Sequence, residues 1–124
     1  MIVRHVDSAT TVEWGNGLSR RLLLAADGMG YSLTDTIVSA GTSSLLEYRH
    51  HLEACYCVDG FGSVTDATGR SHRLVPGTLY ALDQHDRHVL VADPGQDLRL
   101  ICVFTPALHG GEVHRWDAAE ASCY

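Results

Sequence analysis

The stretch of the chain richest in side chains that could bind a metal or take part in a reaction is HHLEACYCVDGFGSV, at residues 50–64. Two adjacent histidines, a glutamate and two cysteines fall within its first eight positions. Imidazole, carboxylate and thiolate groups are the usual protein ligands of zinc, iron and related ions. The spacing matches no common structural zinc pattern. The stretch therefore predicts a metal site without saying which of its side chains bind the ion.

Alternation along this stretch indicates a β-strand that points several of these groups the same way. In EACYCVD, a period of two puts Glu53, Cys55 and Cys57 on one face of the strand. In the later run LRLICVFTP, the same period puts Cys102 and Phe104 on one face. We expect an interior that combines thiols, an aromatic ring and a carboxylate.

The rest of the chain consists of short extended runs separated by glycine, aspartate or proline, without helical periodicity. This pattern is typical of an antiparallel all-β barrel or sandwich. We expect a hairpin at Asp59-Gly60, a second around Gly69, and a turn at Asp93-Pro94-Gly95.

Length and composition limit the class of protein. The 124 residues, with 45% apolar and 19% charged side chains, predict one globular domain over residues 1–124, with a tail at 117–124 that is a last helical turn or disordered. The net charge of −6 and nine scattered basic residues argue against a nucleic-acid partner. The longest aliphatic run, at residues 22–26, is too short to span a membrane, and the N-terminus has no signal-peptide pattern. We expect a soluble, cytoplasmic protein with free thiols and no membrane partner.

The glycine spacing resembles the first signature of the cupin superfamily, G-x5-H-x-H-x3–4-E-x6-G, laid over residues 41–60. Both glycines and the final glutamate, Glu53, match, while the two histidine positions hold Glu47 and Arg49. In the second signature, which ends P-x-G-x2-H, Tyr80 stands where the histidine would be. The resemblance implies a small antiparallel β-barrel or jelly roll with a pocket at its mouth.

Three longer strings are more specific: HHLEACYCVDGFG, PGTLYALDQHDRHVL and CVFTPALHGGEVHR. Together they resemble the ectoine synthase family of cupins, from the N-terminal MIVR to His114. The resemblance implies an iron-dependent hydro-lyase of compatible-solute biosynthesis, which cyclises N-γ-acetyl-L-2,4-diaminobutyrate to ectoine with loss of water.

Carried over to this chain, the metal ligands of the family fall on Glu53, Tyr80 and His88. This set combines hard and borderline donors and suits Fe(II), with zinc or manganese as possible substitutes. The resemblance assigns no ligand role to the other candidates of the opening stretch, which are His50, His51, Cys55 and Cys57.

The resemblance also implies a substrate pocket. Its substrate-binding residues would be Arg21, Thr36, Cys102 and Phe104, and its catalytic residues would be Tyr48, Glu112 and His114.

Within this pocket, Arg21 is the expected partner of a substrate carboxylate. Glu112 and His114 are two apart on an expected strand and would form a proton-transfer pair. Two positions depart from the family: Gly17 replaces a tryptophan, which Trp14 could stand in for, and Thr34 replaces an asparagine.

Other interpretations of these residues stay open. Glu112 and His114 could form an exposed ion-paired strand, and Cys102 and Phe104 could be plain core. The substrate could be a different acylated or amidated amino acid, because the departures at positions 17 and 34 remodel the pocket. The chain could also be a cupin that binds a small ligand without turnover. The resemblance further implies a homodimer.

Overall fold

The computed structural model describes residues 1–112 and 122–123. Within these ranges the chain forms two short 3-10 helices, at Val6–Ser8 and Ala25–Asp27, and eleven strands. The strands are β1 (Thr10–Glu13), β2 (Gly17–Leu23), β3 (Ser32–Val38), β4 (Ser43–Glu47), β5 (Leu52–Asp59), β6 (Gly62–Thr65), β7 (Ser71–Leu74), β8 (Leu79–Leu82), β9 (His88–Ala92), β10 (Leu98–Thr105) and β11 (Ser122–Cys123).

The strands build two sheets. The larger has the order β1-β2-β3-β10-β5-β8, and the smaller has the order β11-β4-β9-β6-β7. All pairings are antiparallel except that of β11 with β4, which is parallel. The predicted antiparallel all-β architecture is therefore confirmed.

Burial along the central strands follows the predicted alternation. On β5, Glu53, Cys55 and Cys57 are buried, whereas Tyr56 between them is exposed. On β10, the odd positions from its first residue, including Cys102 and Phe104, are buried in the same way. Because the two strands pair with each other, these buried faces form one continuous interior wall. The thiols of Cys55, Cys57 and Cys102 are free, as predicted.

The predicted hairpin at Asp59-Gly60 is wrong. β5 ends at Asp59, but β6 pairs with β7 and β9, so this connection crosses from the larger sheet to the smaller one. Gly60 has a φ of 80°, and a Cβ atom there would lie 2.3 Å from the carbonyl oxygen of Asp97. The glycine thus allows close packing between distant segments rather than a tight hairpin.

The other two turns are confirmed. β6 and β7 pair antiparallel around Gly69, whose amide donates to the carbonyl oxygen of Asp66. The segment at Pro94-Gly95 turns between β9 and β10. At the other end of the chain, the backbone of Ser122–Cys123 pairs with Leu46 and Glu47, so this part of the expected tail is a strand rather than a helical turn or disorder. The rest of residues 117–124 lies outside the described residues.

The structure also contains a charge cluster around a buried aspartate that was not predicted. Asp35, on the outer face of β3, lies between two arginines of the neighbouring strands. Its Oδ1 accepts from the Nη2 of Arg20 at 2.6 Å, and its Oδ2 accepts from the Nη2 of Arg99 at 2.6 Å. None of the described helices is long and apolar enough to cross a bilayer.

Candidate active site

A cleft between the two sheets brings most of the predicted site residues together. It occupies about 400 Å³, including the solvent at its mouth. Of the predicted residues, it is lined by Thr36, Tyr48, Glu53, Tyr80, Cys102 and Phe104. Leu46 and Leu90 close it from the smaller sheet.

Glu53 lies at the start of β5, opposite Phe104 of β10, and is 7% exposed. Burial raises the pKa of its carboxyl to about 8, although hydrogen bonds from the thiols of Cys55 and Cys102 act in the opposite direction. A buried carboxyl without a cationic partner favours its neutral form. The group would therefore gain from a nearby positive charge.

Two thiols lie beside this carboxyl. Cys55 and Cys102 face each other across the β5–β10 pairing, and their Sγ atoms are 3.3 Å apart. One carboxylate oxygen of Glu53 and the two sulfur atoms all lie within 4.8 Å of one another. Among the described histidine, cysteine, aspartate and glutamate side chains, this is the group of three whose geometry suits a metal ion.

Tyr80 lies on β8 directly opposite Cys55 of β5. Burial of the phenol raises its pKa above the ordinary value, and negative charge on Cys55, Glu53 or Cys102 would raise it further. The phenol and the carboxyl thus lie in one pocket that disfavours negative charge in both. A cation bound between them would reverse this preference.

His88, at the start of β9, is 2% exposed, and burial lowers its pKa. Its Nδ1 lies 2.8 Å from the carbonyl oxygen of Asp86. Because a carbonyl only accepts, Nδ1 carries the proton and Nε2 holds a lone pair. Nε2 is buried and has no hydrogen-bond partner among the described residues. The centre of the His88 ring is 6.3 Å from that of Tyr80, and His88 itself does not line the cleft.

Arg21 and Glu112 form a separate unit that does not line the cleft. Arg21 is buried, its Nε donates to the Oγ of Ser19 at 3.2 Å, and its Nη2 donates to the backbone oxygen of Glu112. The Nη1 of Arg21 lies 3.6 Å from the Oε1 of Glu112. The lining residue Ser19 connects this pair to the cleft.

Glu112 does not belong to a strand, and the rest of the strand expected at residues 112–114 lies outside the described residues. The carboxylate of Glu112 instead closes a turn by accepting from the amides of His109 and Gly110, each at 2.8 Å. Burial would raise the pKa of Glu112, but these amides and the charge of Arg21 outweigh it, so the pKa lies below its ordinary value. His114 lies outside the described residues.

Trp14 occupies a place in the cleft that the sequence only suggested. It is 4% exposed, it lines the cleft, and its Nε1 donates to the carbonyl oxygen of Ile37 at 3.1 Å. Gly17 has a φ of 153°, and a Cβ atom there would lie 1.9 Å from the same oxygen. Trp14 therefore does reach in, and the backbone at position 17 leaves no room for a side chain.

Of two further polar residues in the site, Ser19 was not assigned to it from the sequence, whereas Thr34 was expected there as a departure from the family pattern. Ser19 and Thr34 both line the cleft, and the hydroxyl of Thr34 lies 3.1 Å from that of Thr36. His85, in the loop before β9, lies 2.8 Å from the carbonyl oxygen of Tyr48 through its Nδ1 and so ties this loop to the end of β4.

Comparison with known proteins agrees with this architecture. The family model described as ectoine synthase matches residues 1–122. The L-ectoine synthase of Desulfatibacillum aliphaticivorans is 47% identical over 126 residues, which cover 96% of this chain and 95% of that protein. The crystal structure of ectoine synthase from P. lautus superposes with a TM-score of 0.85 at 42% identity, over 90% of this chain and 83% of that one.

Proteins with much lower sequence identity share the fold. A cupin 2 conserved barrel domain protein from Salinispora arenicola superposes with a TM-score of 0.69 at 19% identity, over 85% of this chain and 88% of that one. At this identity the likeness concerns the fold alone, and it confirms the predicted cupin architecture. Because the family model matches nearly the whole sequence and the structure superposes on an ectoine synthase, this chain belongs to the ectoine synthase family of cupin lyases.

Proposed function

We propose that this chain closes N-γ-acetyl-L-2,4-diaminobutyrate to ectoine, with Fe(II) held by Glu53, Tyr80 and His88. The observation that carries the proposal is the buried Nε2 of His88, which has no hydrogen-bond partner among the described residues and carries a lone pair. The raised pKa values of Glu53 and Tyr80 support it, because both groups gain from a nearby cation. A nitrogen, a carboxylate and a phenolate suit Fe(II), with zinc or manganese as substitutes.

The reaction joins two groups of one substrate molecule. The amine nitrogen forms a bond to the amide carbon, and the bond from that carbon to its oxygen breaks. The amine gives up two protons and the oxygen takes up two, so water leaves and atoms balance. A bound metal ion would supply a Lewis acid that polarises the amide carbonyl.

The side chains of the cleft would hold the substrate in a bent conformation. The rings of Tyr48 and Phe104 pack edge to face at 5.1 Å and form an apolar wall for the acetyl group. Thr36 and Cys102 offer polar atoms on neighbouring strands. Holding the amine against the amide carbon is expected to lower the barrier by roughly several kcal/mol, since the cleft fixes the bent conformation that the free substrate adopts only rarely.

The Arg21–Glu112 unit would bind the charged group of the substrate and transfer protons. Arg21 would bind the substrate carboxylate through Nη1, which is buried and makes no hydrogen bond within the described chain. Glu112 is ionised at neutral pH and would accept a proton from the substrate amine, with His114 as its partner in proton transfer. Such a pair contributes typically about a hundredfold to ten-thousandfold in rate.

The proposal includes a homodimer. The outer face of the larger sheet exposes apolar side chains on two adjacent strands, with Tyr56 at 47% and its cross-strand neighbour Leu79 at 62%. An apolar patch of this kind favours association. Light scattering on the reduced protein at micromolar concentration should give twice the chain mass, and Leu79→Arg should give the monomer. A monomeric mass for the unaltered protein would contradict the homodimer.

The test of the reaction is an anaerobic assay of the Fe(II)-loaded protein with N-γ-acetyl-L-2,4-diaminobutyrate, in which ectoine is measured by chromatography. Turnover should fall more than about a hundredfold in Glu53→Ala, Tyr80→Phe and His88→Ala, because each removes one proposed ligand. Glu13→Ala is the control, because it removes an exposed carboxylate from a strand far from the proposed ligands in the sheet order. Full turnover by chelator-treated protein would contradict the metal requirement.

A specific observation favours comparing substrates in the same assay. The indole of Trp14 lines the cleft, and Thr34 lies beside Thr36 there. The second candidate function is cyclisation of a different acylated or amidated amino acid by the same residues. It predicts a higher kcat/KM for a homologue with a longer acyl group than for the acetyl compound, and the reverse order would contradict it.

A further inference from the structure

The two buried thiols beside Glu53 have no role in the ligand set proposed for iron. Cys55 and Cys102 lie directly opposite each other on β5 and β10, so the backbone pairing fixes both sulfur atoms. Their Sγ atoms are 3.3 Å apart, and a Glu53 oxygen lies within 4.8 Å of both. His88 does not belong to this group of three.

The geometry suits a tetrahedral ion. A zinc ion binds sulfur at about 2.3 Å, which places two sulfur ligands roughly 3.7 Å apart. The observed separation of 3.3 Å requires only a small outward shift of the two side chains. The carboxylate oxygen would move inward to complete a third position, and the fourth would face the cleft.

We infer that Cys55, Cys102 and Glu53 form a second cation site, which takes a thiophilic divalent ion such as Zn(II) or Cd(II). Both thiols lose their protons to solvent on binding, and each sulfur donates an electron pair to the ion. Thiolates prefer softer ions than the nitrogen and oxygen donors of His88 and Tyr80 do. Glu53 belongs to both sets, so the softness of the ion decides which set it occupies.

Cys57 provides a matched control within the same strand. It is buried on the same face of β5 as Cys55. Its Sγ instead contacts the carbonyl oxygens of Asp59 and Gly60, at 3.7 and 3.8 Å. A thiol that is merely buried in this sheet should therefore behave like Cys57, and only a ligand should behave like Cys55 and Cys102.

The experiment is an anaerobic titration of the full-length, reduced and metal-free protein with CdCl2, followed by the ultraviolet charge-transfer absorption of cadmium thiolates. We expect saturation at one equivalent per chain in the unaltered protein and in Cys57→Ser. The absorption should fall to half or less in Cys55→Ser and in Cys102→Ser, and it should persist in His88→Ala. Cys55→Val provides a second, strand-compatible variant if the serine variant fails to fold.

Three results would overturn the inference. The first is cadmium binding, measured by elemental analysis, without thiolate absorption. The second is absorption that persists in the double variant Cys55→Ser/Cys102→Ser. The third is absorption that His88→Ala abolishes, because the ion would then depend on the set proposed for iron.

The titration is independent of turnover, so it separates this site from the proposed function. Thiolate absorption in a protein that makes no ectoine would support this site and contradict the proposed function. Ectoine formation by a protein without thiolate absorption would do the reverse.

Discussion

Two carboxylates of the larger sheet are almost completely buried, and their surroundings differ. Asp35 on β3 is 3% exposed and Glu53 on β5 is 7% exposed, and their strands flank β10 on either side. Asp35 lies on the outer face between Arg20 and Arg99. Glu53 faces the interior, where two thiols donate hydrogen bonds to it and the Tyr80 phenol lines the same cleft.

The pKa values express this difference. Burial would raise the pKa of Asp35, but hydrogen bonds from Arg99 and Arg20 outweigh it and hold the pKa below its ordinary value. For Glu53, burial dominates and raises the pKa to about 8. A buried carboxylate that the protein neutralises itself is explained by the fold, whereas one that lacks a cationic side chain is better explained by a ligand.

The largest effect is expected from Glu53→Gln, which tests whether this carboxyl costs stability. In the unfolded chain its pKa is near 4.5, whereas in the metal-free fold it is about 8. Between these values the folded state holds a proton that the unfolded state has released. Stability is therefore highest below pH 4.5 and falls as the pH rises to 8. Glutamine does not titrate and so avoids this loss of stability. Glu53→Gln should therefore be more stable than the unaltered protein at pH 7 by about 3 kcal/mol.

Urea unfolding of the chelator-treated, reduced protein at several pH values measures this difference. The difference in the free energy of unfolding between Glu53→Gln and the unaltered protein should be smallest near pH 4.5 and should widen as the pH rises. Equal stability of the two proteins at pH 7 would mean that a group of the chain itself neutralises Glu53. The contrast with Asp35 would then fail.

The inward direction of Glu53 was predictable because alternation in a strand is a local property. The period of two along EACYCVD placed the carboxyl and both thiols on one face, and burial on β5 confirms this placement. Likewise, the turns around Gly69 and at Pro94-Gly95 depend on neighbouring residues and were predicted correctly.

Features that depend on strand order were not predictable in this way. The cluster at Asp35 requires β2 and β10 to lie on either side of β3, and the alternation of a single strand does not encode its neighbours. The connection at Gly60 crosses between sheets because of its packing against Asp97. The ligand set of Glu53, Tyr80 and His88 came from family resemblance, and it stays a prediction.

An opposite effect is expected at the second carboxylate, where Asp35→Asn should destabilise the protein by about 2 kcal/mol. The change leaves Arg20 and Arg99 without their shared partner, and the cost is below that of a fully buried pair because their side chains are 22% and 43% exposed. The pKa of Asp35 is lowered, so its contribution is present above the ordinary pKa and is lost as the pH falls through the lowered value. The gap between the variant and the unaltered protein should accordingly close in acid, as measured by thermal unfolding between neutral and strongly acidic pH. Destabilisation that is independent of pH would show that Asp35 acts through packing.

The smallest effect is expected from Arg99→Gln, which asks whether one arginine is enough to keep Asp35 ionised. The side chain of Arg99 is 43% exposed, and the bond from Arg20 to Oδ1, 2.6 Å long, does not involve Arg99, so the loss at neutral pH should be only about 0.5 kcal/mol. The acid midpoint of unfolding should move upward nevertheless, because a carboxylate with one cationic partner takes up its proton at a higher pH.

Arg73→Gln is the matched control, since Arg73 forms an exposed ion pair with Asp93 at the edge of the smaller sheet. If both variants shift the acid midpoint equally, the second arginine has no particular effect at Asp35, and burial alone would not distinguish this carboxylate from a surface one. A larger shift in Arg99→Gln would show that the outer carboxylate needs both cations, whereas no cationic side chain among residues 1–112 pairs with Glu53.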